Sequence, residues 1–376
     1  MKKILFIVST LKRSGPTSQL FNIIKCLDRN LFEPYVVTLS NEPSDSAWED
    51  YIGLDVRLHS LGLSRIAGVF LSLGKLRDIC SAINPDIVHS QGIRSDILSS
   101  LLNINVPKLA TIRNFPQRDY AMTYGRLQSK IMVCLHVFSM RKLNLCVGVS
   151  KSVVDNLNVV LNVENTACIY NGVDNAVYFP IDNDEKKILR SKLDLNLGSE
   201  IWISSGHLSE RKDPLFILAF WEKNFKGDES KQLYFIGDGP MKKECDSLVK
   251  DISNVHFLGR VTDVEKYLKA SDFYISSSKA EGLPNSVLEA MASGLPVLLS
   301  DIDPHSEIWE LEPLVGSLFE LGNMNSLQIA FNNLLQEDRL VMSKAAKQVI
   351  DEKLSAYVMS RNYQMTYLQL TDGVGQ

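Results

Sequence analysis

The feature that most restricts the fold of this chain is a repeated alternation of short apolar runs with segments of helical periodicity. Five apolar runs in the first half have the length and composition of buried parallel strands, at 4–8, 35–39, 86–89, 108–112 and 145–149. Five more follow an irregular charged stretch, at 201–205, 233–236, 255–258, 273–276 and 297–300. Helices are predicted between the later strands, at 214–225, 241–251, 264–270 and 284–293. Alternation of this kind predicts an α/β protein with two doubly wound domains in tandem.

Length and composition agree with that organisation and exclude several classes of protein. The 376 residues are enough for two domains with substantial cores. A net charge of −4 gives no basic field for nucleic acid, so no nucleic-acid partner is expected. The six cysteines contain no C-x-x-C pair, which indicates reduced core residues and a reducing, cytoplasmic compartment. No segment approaches the roughly 20 apolar residues that a membrane span needs.

Two glutamates, Glu281 and Glu289, flank the start of a predicted helix. A helix that begins near Pro284 directs its unpaired amides and their partial positive charge at whatever lies before it, which favours a phosphate or diphosphate. Glu281 in the loop and Glu289 in the helix can each accept hydrogen bonds from a polyol. The pattern therefore fits a sugar nucleotide. Its alternative is a solvated helix start whose acidic residues offset the helix dipole.

The same segment resembles a known family signature. Residues 281–297 read EGLPNSVLEAMASGLPV and resemble the donor-site signature of the family-four retaining glycosyltransferases, which have the GT-B fold. Further segments resemble that family's motifs in the same order, at 88–92 (VHSQG), 170–174 (YNGVD), 206–213 (GHLSERKD) and 237–240 (GDGP). Several motifs in the family's order are far more specific than any one of them alone.

The resemblance implies two Rossmann-like domains with the ligand in the cleft between them. Residues 1–176 would form an acceptor-binding domain, residues 177–356 a donor-binding domain, and a C-terminal helix at about 357–371 would pack back on the first domain. The implied reaction is retaining transfer of a hexose or N-acetylhexosamine from a nucleoside diphosphate sugar, with UDP the expected nucleotide. The implied acceptor is a glycan or a polyprenyl-diphosphate-linked sugar in surface-polysaccharide (O-antigen) assembly. Neither a metal nor a cofactor beyond this co-substrate is expected.

The resemblance also assigns the charged residues of the second domain. Lys212 matches the family's phosphate-binding lysine, and Arg211 beside it could neutralise the departing diphosphate. The alternative is an ordinary exposed basic pair at a helix start. His207 stands where the family usually has an arginine, so either Arg211 substitutes or His207 donates a neutral hydrogen bond. Glu281 would hold the sugar hydroxyls, and Glu289 the ribose.

Further donor contacts are expected around the signature helix and one neighbouring strand. The nucleobase should lie against Arg260 and Val261, which follow the strand at 255–258. The remaining predicted donor contacts belong to the segment that starts the helix: Gly282, Leu283, Pro284, Asn285, Ser286 and Leu288.

The first domain offers a loop and two strand ends as candidate sites. Gly15 in the loop at 10–17 would approach the donor, and Ser14 and Thr17 are acceptor candidates. The alternative is a plain helix start in which Ser14 caps the helix. Arg113 is an acceptor candidate, and His89 a catalytic one. Either Arg113 or His89 could make the active-site contact of this domain. The alternative for His89 is a structural role.

Two weaker patterns and two rival functions complete the predictions. The string at 301–303 (DID) resembles the metal-binding pair of other glycosyltransferases, but we expect no metal there. The segment at 124–143 has an apolar middle flanked by Arg126, Lys130, Arg141 and Lys142, and 65–77 is similar. Such helices either lie on an anionic membrane surface, as a peripheral contact, or belong to the core. The rival functions are a GT-B nucleotide-sugar epimerase and a non-catalytic sugar-nucleotide-binding subunit.

Overall fold

The computed structural model describes residues 1–373 and divides the chain into two compact units. The first comprises Met1–Gly172 and the C-terminal segment from Ala356, and the second comprises Val173–Ser355. The sequence predicts the boundary at 176/177. The structure has it four residues earlier, because the Val173 amide donates to the Leu354 carbonyl of the second unit at 2.9 Å.

The first unit is a seven-stranded parallel sheet in the order β3-β2-β1-β4-β5-β6-β7. Its strands are β1 (Lys2–Val8), β2 (Phe32–Thr38), β3 (Arg57–Ser60), β4 (Ile87–Gln91), β5 (Lys108–Ile112), β6 (Leu145–Gly148) and β7 (Thr166–Cys168). The connecting helices are α1 (Gly15–Lys25), α2 (Trp48–Ile52), α3 (Arg65–Ile83), α4 (Ile93–Leu101), α5 (Pro116–Tyr124), α6 (Arg126–Met140) and α7 (Lys151–Asp155), the last followed by a π-helical turn (Asn156–Val160).

The last helix of the chain completes the core of the first unit. This helix, Ala356–Asp372, is numbered α16 because it follows the helices of the second unit. Its Met359, Tyr363 and Tyr367 are buried in one cluster with Phe6. The Ser360 hydroxyl donates to the Ile23 carbonyl at 2.7 Å. The helix therefore covers one face of the sheet, whereas α3 and α4 contribute to the core on the other face.

The second unit is a six-stranded parallel sheet in the order β10-β9-β8-β11-β12-β13. Its strands are β8 (Glu200–Ser205), β9 (Lys231–Ile236), β10 (Val255–Gly259), β11 (Phe273–Ser276), β12 (Val297–Ser300) and β13 (Gly316–Phe319). Its helices are α8 (Asn183–Lys192), α9 (Pro214–Phe225), α10 (Lys242–Leu248), α11 (Val264–Ala270), α12 (Asn285–Ala292), α13 (Asp303–Leu311), α14 (Met324–Gln336) and α15 (Arg339–Val349), with short turns at Pro313–Val315 and Ile350–Leu354. Trp202 stacks between Phe273 and Phe331 in the core, at 4.6 Å from each ring.

The predicted fold class is confirmed: both units are doubly wound, parallel α/β domains. The helix predicted at 284–293 is also confirmed, with Pro284 as its N-cap. In parallel sheets, ligands bind at the carboxyl ends of strands. The loops after β8, β9, β10 and β11 share that edge of the second sheet. Within residues 1–373, no helix combines the length and the apolar character that crossing a bilayer requires.

Candidate active site

Two glycine loops bring backbones into contact at the carboxyl edge of the second sheet. The Gly237 amide, after β9, donates to the Gly259 carbonyl at 2.7 Å. A Cβ atom on Gly237 would lie 1.9 Å from the Gly206 carbonyl oxygen, and the residue has a φ of 129°. Only glycine satisfies both conditions. The loops after β8, β9 and β10 therefore form one continuous surface.

Lys212 and Arg211 converge on the carboxylate of Glu281. Lys212 Nζ lies 2.7 Å from Oε1, and Arg211 Nη1 lies 2.6 Å from Oε2. The Ser278 hydroxyl donates to Oε1 at 2.9 Å. Glu281 is only 8% exposed. Two cations on one buried carboxylate leave a local charge of +1, which suits an anionic ligand.

The loop after β8 is fastened to the loop after β11, and this positions both cations. The Lys279 amide donates to the Arg211 carbonyl at 2.7 Å, and the Ser277 hydroxyl donates to the Asp213 carbonyl at 2.7 Å. Arg211 Nη1 also donates to the Ala280 carbonyl at 2.8 Å. The basic pair is therefore tied to the sheet edge and is not an ordinary exposed pair at a helix start.

The charged neighbours decide the protonation state of Glu281. Burial alone raises the pKa of this carboxyl group, but Lys212 and Arg211 more than offset that effect and lower the pKa to about 2. Glu281 is therefore a carboxylate at neutral pH, able to accept hydrogen bonds from hydroxyl groups.

Glu289 has the opposite environment. It lies in the second turn of α12, and its carboxyl group makes no hydrogen bond or ion pair with the part of the chain that the structure describes. Burial raises the pKa of Glu289 to about 7, and the positive charge of Lys212 only partly opposes the shift. A polar ligand with hydroxyl groups would supply the hydrogen bonds that this carboxyl group lacks.

The start of α12 stands directly after the Glu281 loop. Pro284 is its N-cap, with extended backbone angles and no side-chain cap. The Ser286 hydroxyl, one residue into the helix, accepts a hydrogen bond from the Tyr274 hydroxyl at 2.9 Å. Gly282, Leu283 and Asn285 lie beside this helix start, and their contact with a donor stays a prediction.

Leu288 is one predicted donor contact that the structure does not support. Its side chain is wholly buried, and its amide donates to the Pro284 carbonyl at 3.3 Å. Leu288 therefore packs into the core and stabilises α12.

The remaining predicted donor contacts of the second unit lie along the same sheet edge. His207 is exposed and lines a shallow cavity with Gly206 and Lys212. Arg260 is exposed and Val261 half-buried, directly after β10. These positions agree with a ligand that extends from β11 towards β10.

Three predicted residues of the first unit, Ser14, Thr17 and Arg113, line a cavity of about 330 Å³ at the carboxyl edge of its sheet. Gly15 is the first residue of α1 and is exposed beside this cavity. Arg113 donates to Asn171 Oδ1 at 3.0 Å and to Gln91 Oε1 at 2.9 Å. Burial lowers the pKa of Arg113 from its ordinary value.

His89 is a structural residue, so its predicted catalytic role is wrong. Its Nδ1 lies 2.8 Å from the Tyr367 hydroxyl, and its Nε2 lies 2.7 Å from the Thr111 hydroxyl. Its side chain is wholly buried, and burial lowers its pKa to about 3. With both ring nitrogens engaged in the core, His89 fastens α16 to the sheet.

The string at 301–303 does not form a metal site in the described structure. Asp301 Oδ1 accepts from the Leu321 amide at 2.8 Å, and Asp303 is the first residue of α13. Across residues 1–373, no three His, Cys, Asp or Glu side chains come together closely enough to hold a metal ion. Metal independence of the reaction stays a prediction.

Four residues that also line the first cavity were not identified from the sequence. They are Gln91, Asp96, Tyr120 and His136. Gln91 could have been found, because it lies in the segment VHSQG, two residues after the strand predicted at 86–89. The other three come from separate helices and have no recognisable spacing.

Comparisons with known proteins match both units of this chain to glycosyltransferases. The family model "Glycosyltransferase Family 4" matches residues 13–177, and "Glycosyl transferases group 1" matches residues 200–337. The O-antigen biosynthesis glycosyltransferase WclY of Escherichia coli is 26% identical, with 98% of each chain covered. An E. coli UDP-Gal:alpha-D-GlcNAc-diphosphoundecaprenol alpha-1,3-galactosyltransferase is 30% identical over 48% of each chain.

A solved structure shows the same fold. The Anabaena protein HepE, crystallised in complex with UDP, superposes with a TM-score of 0.81 at 15% identity, covering 98% of this chain and all of HepE. The two family models together span most of the sequence, and the chain belongs to the family-four glycosyltransferases with the GT-B fold.

Proposed function

We propose that this glycosyltransferase moves a hexose or N-acetylhexosamine from a UDP-linked donor to a glycan or lipid-linked sugar, with retention of anomeric configuration. The observation that carries the proposal is the convergence of Lys212 and Arg211 on Glu281, directly before the start of α12. Cations, a helix start and a carboxylate together match the diphosphate and the hydroxyl groups of a sugar nucleotide.

Negative charge develops on the diphosphate as the bond from the sugar to phosphate breaks. Lys212, Arg211 and the amides at the start of α12 would stabilise that charge. Removal of one such group from an enzyme typically costs about 2.7–4 kcal/mol of activation free energy. The acceptor hydroxyl forms the new bond on the face that the phosphate leaves, and its proton passes to the departing phosphate oxygen.

We expect donor binding to exchange the partners of Lys212 and Arg211. Without ligand, both cations form ion pairs with the Glu281 carboxylate. A bound diphosphate competes for them, and hydroxyl groups of the donor sugar can then donate to the carboxylate. Glu289 would accept from the ribose, and the base would lie against Arg260 and Val261.

The choice of donor and acceptor follows from the relatives. HepE was crystallised with UDP, and the galactosyltransferase is named for UDP-Gal and for a diphosphoundecaprenol-linked GlcNAc. WclY is named for O-antigen biosynthesis. We therefore assign a UDP-sugar as donor and a surface-polysaccharide intermediate as acceptor, in a cytoplasmic reaction that needs neither metal nor cofactor.

Two helices of the first unit carry the features of a peripheral membrane surface. On α6, Leu127, Ile131, Leu135 and Phe138 form one exposed stripe at helical spacing. Lys142 stacks on the Phe138 ring at 4.2 Å, and Lys130 is exposed nearby.

On α3, exposed apolar residues stand at the same helical spacing: Ile66, Val69 and Phe70. Both helices contact α4. Apolar stripes with flanking lysines fit an anionic lipid surface, which the lipid-linked acceptor would share. The described side chains do not include those of Arg65 and Arg126.

A thermal-shift screen of UDP-, GDP- and ADP-sugars tests the donor assignment, because a bound ligand stabilises the folded state by mass action. We expect the largest shift with a UDP-sugar, and loss of that shift in Glu289→Ala. A larger shift with a GDP- or ADP-sugar would contradict the choice of nucleotide.

Conversion of the donor without an acceptor would favour an epimerase. Binding without turnover across an acceptor panel would favour a non-catalytic subunit.

A further inference from the structure

A buried serine hydroxyl joins the two cations at the Glu281 carboxylate. The Ser278 hydroxyl donates to Glu281 Oε1 at 2.9 Å, and Lys212 Nζ lies 2.7 Å from the same oxygen. Ser278 is wholly buried, whereas the side chains of Lys212 and Arg211 are partly exposed. A ligand at the sheet edge can therefore reach the two cations but not the serine.

The direction of the hydrogen bonds around Ser278 follows from the charge of Glu281. A carboxylate can only accept, so the single proton of the Ser278 hydroxyl points at Oε1. The Ser276 hydroxyl lies 3.1 Å from the Ser278 hydroxyl, and Ser276 must be the donor because Ser278 has already used its proton. Ser276 ends β11 and is buried. The two hydroxyls therefore form a directed chain from the sheet to the carboxylate.

The backbone of Ser278 is held by the end of β12 and the start of α13. The Ser300 hydroxyl donates to the Ser278 carbonyl at 2.7 Å. In the first turn of α13, His305 Nδ1 lies 2.9 Å from the Ser300 carbonyl oxygen. That oxygen can only accept, so Nδ1 carries a proton. Burial lowers the pKa of His305 to about 4, so the ring is neutral at pH 7 and holds Ser300 as a neutral donor.

Donor binding should leave Ser278 as the group that orients Glu281. A diphosphate competes for Lys212 and Arg211, because its negative charges attract both cations. Ser278 is neutral and buried, so it keeps its hydrogen bond to Oε1. A carboxylate has about four acceptor positions, so about three then remain for the sugar hydroxyls, in directions that the bond from Ser278 determines.

We propose that Ser278 is the positioning residue that orients Glu281 towards the hydroxyl groups of the donor sugar. Ser276, Ser300 and His305 hold Ser278 in that role. The proposal rests on the proposed function and specifies its donor side: Ser278 acts on recognition of the sugar and not of the nucleoside diphosphate. Loss of the Ser278 hydroxyl should therefore affect binding of a UDP-sugar and not binding of UDP.

Calorimetry on the full chain tests the proposal, with UDP and with the UDP-linked forms of glucose, galactose, N-acetylglucosamine and N-acetylgalactosamine as probes. In Ser278→Ala, the Kd for the UDP-sugar that the wild type binds best should rise by about threefold to tenfold, the usual effect of losing one hydrogen bond. The Kd for UDP should stay unchanged, because Lys212, Arg211 and the start of α12 are all retained.

The matched control is Ser271→Ala. It removes another buried hydroxyl of the same unit, which donates to the Tyr267 carbonyl at 2.8 Å. This variant should leave the Kd for UDP and the Kd for the UDP-sugar unchanged.

Variants of His305 cover the case in which Ser278→Ala does not fold. His305→Leu removes the donor to the Ser300 carbonyl and should raise the Kd for the UDP-sugar in the same way. His305→Asn keeps a side-chain N–H near the position of Nδ1 and should restore binding. The melting temperature of each variant is measured in parallel, because a purely structural role predicts a lower melting temperature with equal losses of affinity for UDP and UDP-sugar.

Three results would overturn the proposal: an unchanged Kd for the UDP-sugar in folded Ser278→Ala, equal losses of affinity for UDP and UDP-sugar in that variant, or the same loss in Ser271→Ala. Failure of the proposed function gives a different result. In that case no UDP-sugar binds the wild-type protein, whereas failure of this inference alone leaves wild-type binding intact.

Discussion

Glu281 and Glu289 flank the start of one helix, and the structure shifts their pKa values in opposite directions, to about 2 and about 7. The difference comes from Lys212 and Arg211, which pair directly with Glu281 only. One carboxylate therefore stays charged at every physiological pH, whereas the other titrates near neutrality. Donor binding should depend on pH through Glu289.

The affinity for a UDP-sugar should rise with pH. Ribose hydroxyl groups donate to the ionised carboxylate, and with a pKa of about 7 roughly a tenth of Glu289 is ionised at pH 6 and nine tenths at pH 8. We expect the Kd for UDP-glucose, measured by calorimetry, to fall by about tenfold between pH 6 and pH 8. The diphosphate of this probe is esterified at both ends and does not titrate in this range. Two results would contradict the assignment: a Kd that does not change with pH in the wild type, or the same pH dependence of Kd in Glu289→Gln as in the wild type.

Lys212→Ala should slow transfer much more than it weakens binding of UDP-sugar. The lost charge stabilises the departing diphosphate, so kcat should fall by about a hundredfold or more. Steady-state kinetics measures this effect. The matched control is Lys226→Ala, which removes a surface pair with Glu222, and it should leave kcat unchanged. Equal rates for both variants would place the leaving group elsewhere.

Glu281→Gln should destabilise the fold at neutral pH. A carboxyl group whose pKa is lowered from 4.5 to about 2 contributes stability above pH 4.5, which is lost as pH falls towards 2. Urea unfolding at pH 7 should show a loss of roughly 2–4 kcal/mol, and the difference from wild type should shrink below pH 4.5. Glu222→Gln is the exposed control. A difference that persists unchanged at the lowest pH would contradict the ionic origin.

His89→Leu should affect stability and not catalysis. The substitution leaves the Tyr367 hydroxyl without its histidine partner, which costs about 1–3 kcal/mol for an unsatisfied group. The Thr111 hydroxyl also loses His89 but keeps the Tyr363 hydroxyl at 2.8 Å. Denaturant unfolding and kcat/KM are measured on the same preparation. If kcat/KM fell by several orders of magnitude in a variant that is still folded, His89 would regain its predicted catalytic role.

The apolar stripe on α6 should bind anionic vesicles. The double variant Leu135→Ser/Phe138→Ser should lose sedimentation with phosphatidylglycerol-rich vesicles, and added salt should weaken wild-type binding. Leu340→Ser/Val341→Ser, an exposed apolar pair on α15, is the matched control. Membrane binding that survives the α6 substitutions would assign the contact to another surface.

The sequence identifies the central strands better than the edges of the sheets. Central strands such as 108–112 and 273–276 are continuous apolar runs because both faces are buried, and their predicted bounds agree with β5 and β11. The edge strands β7 and β13 have three and four residues and lie mostly half-buried. Short, half-exposed strands lack that pattern, so neither was predicted.

The sequence also predicts some contacts of the candidate site and not others. The signature segment predicts the start of α12 and the neighbourhood of Glu281 because those contacts are local or follow known strand ends. The role of His89 was wrong because β4 continues to Gln91, which places His89 inside the sheet and gives the strand end to Gln91. The contacts among Asp96, Tyr120 and His136 depend on three helices packing together, which the spacing of these residues does not reveal.

The most direct measurement is a crystal structure of the protein grown with UDP. The account predicts the diphosphate within hydrogen-bond distance of Lys212 Nζ and of the amides that begin α12, with the uracil beside Arg260. A nucleotide bound away from both Lys212 and this helix start would contradict it.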